Sequence, residues 1–151
     1  MLVVGALFGI SYGGGGGITQ PVVLELTTTG CVTNDDDPAT RCHIYRLRDE
    51  NGRRSGEISR IRQPVFDKDG TNVGILIGQF VSGKGTGTTV TGVFNLKDGP
   101  FTDKGTVVLI GAPTAFDGAV LGGSGAYDNV RGDWVAESVQ DGFLVTLNLI
   151  P

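Results

Sequence analysis

The chain has 151 residues, 26 of them glycine, and 12 Lys and Arg against 16 Asp and Glu leave a net charge of −4. That length suits one domain with a sizeable apolar core, and a glycine excess over the usual ~7% without a Gly-X-Y period excludes a collagen-like chain. A mildly acidic balance with no basic stripe interleaved with aromatics argues against nucleic acid as a partner.

The first ten residues, Met1 to Ile10, are apolar, lack a basic flank and are too short to cross a bilayer as a helix. They read as a signal remnant, a hydrophobic arm, or a strand that covers a barrel end or a partner. Gly13 to Gly17 form a flexible joint to the body. The organisation expected is an arm over 1–17 and a single domain over 18–151.

From there the chain reads as strands and turns. Val22 to Thr29 alternates, with Val22, Leu24 and Leu26 on one face and Val23, Glu25 and Thr27 on the other. Asn34 to Pro38 is a loop; its acidic triplet lacks the spacing and closing Glu of a calcium loop. Cys31 and Cys42 are the only cysteines, and the sequence leaves open whether they are bridged or remain two thiols. Cys42 to Arg48 is strand-like, and Asp49 to Gly52 signals a hairpin turn. Glu57 to Gln63 is a strand that Pro64 is expected to end. Seven arginines between Arg41 and Arg62 make this stretch basic; they suit a solvated surface or a mouth that attracts an anionic ligand.

Asp67 to Gly70 is a turn and Val73 to Val81 the clearest strand. Gly74, Leu76, Gly78 and Phe80 share one of its faces, and a glycine-bearing face bends easily or makes room for neighbours. Ser82 to Thr86 turns, Thr88 to Leu96 is a strand, Asp98 to Pro100 turns again, and Gly105 to Gly111 is a strand. Ala115 to Leu121 reads as a short element or a helical turn. Val130 to Ser138 and Phe143 to Ile150 close the domain around a turn at Gln140 to Gly142. No window holds an amphipathic helix. The expected fold is all-β, an eight-stranded antiparallel up-and-down barrel, with a sandwich as the alternative.

Two segments carry a resemblance. Ser55–Gly56–Glu57–Ile58, Pro64 to Gly70 and Val73 to Phe80 form one; Leu121 to Tyr127, followed by Gly132, forms the other. Together with the terminal strand Val145 to Leu149, their order resembles the superfamily of allene oxide cyclases, dirigent proteins and bacterial barrel cyclases. The resemblance covers residues 22 to 150. It implies an eight-stranded barrel, a homodimer or homotrimer, holding an apolar or polyketide-like small molecule in its lumen, with no metal and no organic cofactor.

For site residues, the resemblance implies a carboxylate on the first strand at Glu25. The cyclases' neighbouring asparagine falls at Thr27 and their pocket cysteine at Phe80, departures that speak against allene oxide as substrate. Arg131 matches the arginine that dirigent proteins carry after the late signature; Asp117, Asp128 and Asp133 are looser acidic candidates. Both cysteines are early, unlike the early-and-late pair of plant dirigent proteins, which favours a bacterial cyclase branch.

The chemistry expected is ring closure in a dry lumen, driven by folding the substrate into one reactive shape. Glu25 would act as acid, base or electrostatic guide if its face lines the lumen. Arg131 would hold a carbonyl or carboxylate oxygen, and Tyr127 would donate to a ligand oxygen or close the barrel. Phe80 and Trp134 would line or pack the lumen. The alternatives are a dirigent-like guide of radical coupling and a non-catalytic carrier of an apolar ligand. The location follows the branch, cytoplasmic for a bacterial cyclase and secreted if residues 1–17 are a signal remnant. His43 is the single histidine, with no nucleophile elbow to serve. The glycine runs lack the spacing and setting of nucleotide loops.

Overall fold

The computed structural model describes residues 17–29, 41–83, 87–99, 103–112, 116–140 and 142–151. The expected arm, apart from Gly17, lies outside the described residues, as do Cys31, the acidic triplet and most of the 82–86 turn. Nine strands account for almost everything described. They are β1 (Val22–Thr28), β2 (Arg41–Arg48), β3 (Arg54–Phe66), β4 (Asn72–Gly83), β5 (Gly87–Lys97), β6 (Asp103–Ala112), β7 (Asp117–Gly125), β8 (Arg131–Val139) and β9 (Gly142–Ile150). Among the described residues no helix is long and apolar enough to cross a membrane.

The strands form an antiparallel meander in which β3 to β9 pair in sequence and β9 pairs with β1. Pairing of β1 with β3 then closes an eight-stranded ring. This is the barrel that the alternation predicted. The closure is short. Seven residue pairs join β1 to β9, but only Thr27–Phe66 and Thr28–Val65 join β1 to β3. Above that seam the same edge of β3 is taken by β2, which lies outside the ring and pairs with β3 from Arg62 back to Arg54.

Pro64 does not end the strand, as the sequence suggested; β3 runs through it to Phe66. The reason lies in the handover of that edge. Pairing with β2 stops at Arg62 and pairing with β1 starts at Val65, so Pro64 falls where no partner asks for an N–H. The segment expected over 115–121 as a short element or a helical turn is a strand that runs on to Gly125. A bulge at Leu121, between the Gly122–Val108 and Val120–Leu109 pairs, absorbs its irregular register against β6.

Two hairpins share one construction. In the β2–β3 turn, Asp49 Oδ1 accepts the backbone N–H groups of Asn51 and Arg53, both at 2.9 Å. In the β3–β4 turn, Asp67 Oδ1 accepts those of Asp69 and Thr71, again at 2.9 Å. Each turn puts a glycine, Gly52 or Gly70, in the left-handed region that L side chains resist.

Strand alternation sends Leu24, Leu26, Val65, Phe94, Leu96, Val107, Leu147 and Leu149 into the barrel, and they form its core with Trp134. Most of this packing fills the lower half, the end where β1 begins and β9 finishes. There the β7–β8 turn folds under the barrel, with Ala126, Tyr127 and Val130 buried and the Ala126 N–H donated to the Lys104 carbonyl.

Candidate functional site

The upper half of the lumen is hollow. A cavity of about 680 Å³ reaches the rim where Glu57, Ser82, Phe116 and Phe143 lie. That volume falls in the range of small-molecule sites. Its space comes from small residues at inward positions. Gly78 of β4 and Gly92 of β5 are cross-strand partners, both on the wall, and Ser59 and Ala136 lie at the same level or above.

Aromatic side chains shape much of the wall: Phe80, Phe94, Phe116, Trp134 and Phe143. Trp134 is held flat. A Cβ added at Gly111 or Gly118 would sit 2.6 Å from the indole, so the paired glycines form a slot for the ring. Its Nε1–H donates to the Ile110 carbonyl at 3.0 Å. At the rim, Phe116 stacks on Phe143 with centroids 5.7 Å apart. Phe116 adopts a positive φ of 50°, and its carbonyl accepts the Ala136 N–H at 2.7 Å, which ties this residue to β8.

Polar side chains enter the cavity from one side. Glu57, Ser59 and Gln63 alternate along the inner face of β3, Thr28 stands beside them across the seam, and Ser82 is the β4 partner of Glu57. The Glu57 carboxylate accepts from Arg54 at 2.6 Å. Gln63 is buried. Thr91 also borders the cavity, but alternation gives its side chain to the outer face beside Gln79.

The residues singled out in the sequence divide sharply. Phe80 and Trp134 line the cavity. Glu25 and Thr27 do not, because the inner face of β1 is the one carrying Leu24, Leu26 and Thr28; Glu25 is exposed on the outer face, paired with Thr146 of β9. Arg131 is exposed at the start of β8, donating to the Val130 carbonyl at 2.9 Å. Asp117 and Asp133 are likewise exposed. Asp133 accepts from Asn148 at 2.6 Å. Asp128 sits in the lower turn. Tyr127 is in that turn too, buried under the barrel with the Lys104 ammonium over its ring at 5.8 Å. It closes the lower end, the second of the roles considered for it.

Glu57, Ser59 and Gln63 were missed as site residues, and so were Phe116 and Phe143. A signal for the first three was present: they occupy the same parity in β3 as Ile61 and Val65. Cys42 on β2 is disulfide-bonded. Among the described residues no three His, Cys, Asp or Glu side chains come together as a metal site would need. The sequence matches no family model and no curated protein.

Proposed function

We propose that the protein binds a small, largely apolar molecule in the upper half of its barrel. The observation that carries this reading is the asymmetry of the lumen. One end is packed with large apolar side chains and plugged by a turn, while the other keeps a cavity of about 680 Å³ with an aromatic wall. Burying apolar ligand surface there contributes roughly 25 cal/mol per Å² before the cost of association.

The test uses N-phenylnaphthylamine, a neutral dye that brightens in apolar sites, excited by energy transfer from Trp134. The expected result is saturable binding that weakens at least about tenfold in Gly92→Leu, whose added side chain occupies the cavity. Absence of transfer, or transfer that Gly92→Leu leaves unchanged, would refute lumen binding.

Ring closure within the same lumen is the second reading. The resemblance to barrel cyclases supports it, and so does one observation, a carboxylate at the cavity rim, on the polar side of the lumen and opposite its aromatic wall. In this reading Glu57, and not Glu25, is the acid–base group, while the cavity holds the substrate in a folded shape.

A further inference from the structure

The mouth of the cavity carries a charge that the wall below it does not. Arg46 of β2, Glu57 of β3 and Ser82 of β4 are successive cross-strand partners, so they form one line across the rim on the inner face of the sheet. Side chains directly opposed in this way have Cβ atoms about 4.5–5.5 Å apart, within reach of an Arg46–Glu57 pair. Glu57 is instead paired with Arg54, at 2.6 Å. Arg46 is exposed and makes no ion pair among the described residues. The line therefore ends in an unused guanidinium beside an open cavity.

The local balance is positive. Arg46 and Arg54 outnumber Glu57, and the four charges of the adjoining turn, Arg48, Asp49, Glu50 and Arg53, cancel. The facing rim does not offset this. Trp134 and Ala136 point into the cavity, so alternation sends Val135 and Glu137 to the outer face, and Asp117, the partner of Val135, joins them there. A positive mouth with apolar walls focuses field and draws anions.

Deeper down the demand on a ligand changes. Thr28 and Gln63 are buried, and no buried side-chain N or O among the described residues lacks a hydrogen-bond partner. Between them and the rim Ser59 adds one hydroxyl, while Ile61, Leu76, Phe80, Phe94 and Trp134 make an apolar wall. Glu57 and Gln63 both lie on β3, roughly 20 Å apart at about 3.3 Å per residue. That is depth enough for an extended hydrocarbon chain.

We infer that the lumen takes an amphipathic anion end-on, with its apolar body in the cavity and an oxyanion head at the rim between Arg46 and Arg54. This rests on the lumen-binding reading above and adds to it a charge and an orientation along the barrel axis. A carboxylate suits the rim, because a guanidinium presents parallel N–H donors that match its two oxygens.

Three amphiphiles with one tail separate the two ideas. Dodecanoate has an anionic head, dodecanol a neutral one and dodecyltrimethylammonium a cationic one. Each is titrated, below any micelle threshold, against N-phenylnaphthylamine bound to the full-length protein. Dodecanoate is expected to displace the dye at roughly tenfold lower concentration than dodecanol, the discrimination that a charge-assisted hydrogen bond supplies, and the ammonium to be the weakest. Arg46→Gln is expected to shrink the ratio of acid to alcohol while leaving dodecanol unchanged. Arg62→Gln removes the same charge from an exposed position on the outer face of β3 and should leave the ratio as it was. Equal displacement by acid and alcohol overturns the anion inference and leaves lumen binding standing. So does a preference that Arg46→Gln does not alter, or that Arg62→Gln lowers as much. A protein that binds the dye and yields it to none of the three overturns this inference alone. A protein that does not bind the dye loses lumen binding and this inference together.

Discussion

The two halves of this barrel are made by the same strands with the same alternation, yet one is solid and the other hollow. In the lower half the inward positions carry Val65, Leu96, Val107, Leu147 and Leu149, and the β7–β8 turn folds beneath them. In the upper half the same strands offer Ser59, Gly78, Gly92 and Ala136. The backbone fold makes a container, and side-chain volume decides how much of it is filled. Stability is therefore concentrated below and ligand capacity above, and substitutions in the two halves should have separable effects.

The largest effect on folding is expected below. Leu147 is fully buried, and Leu147→Ala should cost about 2–5 kcal/mol from lost transfer energy and the cavity left behind, measured by urea denaturation followed by circular dichroism. Trp134→Phe sits between the halves. It removes the indole donor from the Ile110 carbonyl and should cost about 1–3 kcal/mol by the same measurement. Gly92→Leu should reverse the pattern. Leu76 Cδ1 lies 3.3 Å from the new Cβ and must give by a few tenths of an ångström, while the rest of the side chain enters open space. Stability should hold or rise by up to about 1 kcal/mol, and dye binding should be lost. A Gly92→Leu protein that unfolds at lower urea would show that the upper half is not a spare volume. The smallest effect is expected at the rim. Glu57→Gln breaks an ion pair whose arginine is mostly exposed, and stability should change by about 1 kcal/mol or less, leaving ligand selectivity as the readout.

Much of the container was legible in the sequence, because period-two alternation and Asp-x-x-Gly turns are local signals. Asp49 to Gly52 and Asp67 to Gly70 are turns where they were expected. Two features of the container have non-local causes. Pro64 is tolerated because β2 and β1 change over on the edge of β3 around it, and no sequence window contains both strands. Residues 122–125 extend a strand because Tyr127 folds back over Gly123 and Gly105, where any Cβ would crowd it. The site was less legible for a related reason. Alternation placed Glu25 and Leu26 on opposite faces of β1 without saying which face is inside, and the resemblance pointed to the carboxylate. Applied to β3, the same alternation puts Glu57, Ser59 and Gln63 on the side of Ile61 and Val65, whose burial marks the interior. Phe116 comes from the short link between β6 and β7, where periodicity carries no information.

The position of β2 outside the ring bears on how the protein behaves in concentrated solution. A closed barrel has no strand edges, but β2 adds one back, with its far side unpaired among the described residues. It also carries the exposed apolar side chains of Tyr45 and Leu47, the kind of edge on which chains polymerise. His43, Arg46 and Arg48 are exposed on the same strand, so two copies meeting edge to edge bring like charges together. The basic stretch then acts as a guard for solubility, and one that weakens as ionic strength rises and the charges are screened.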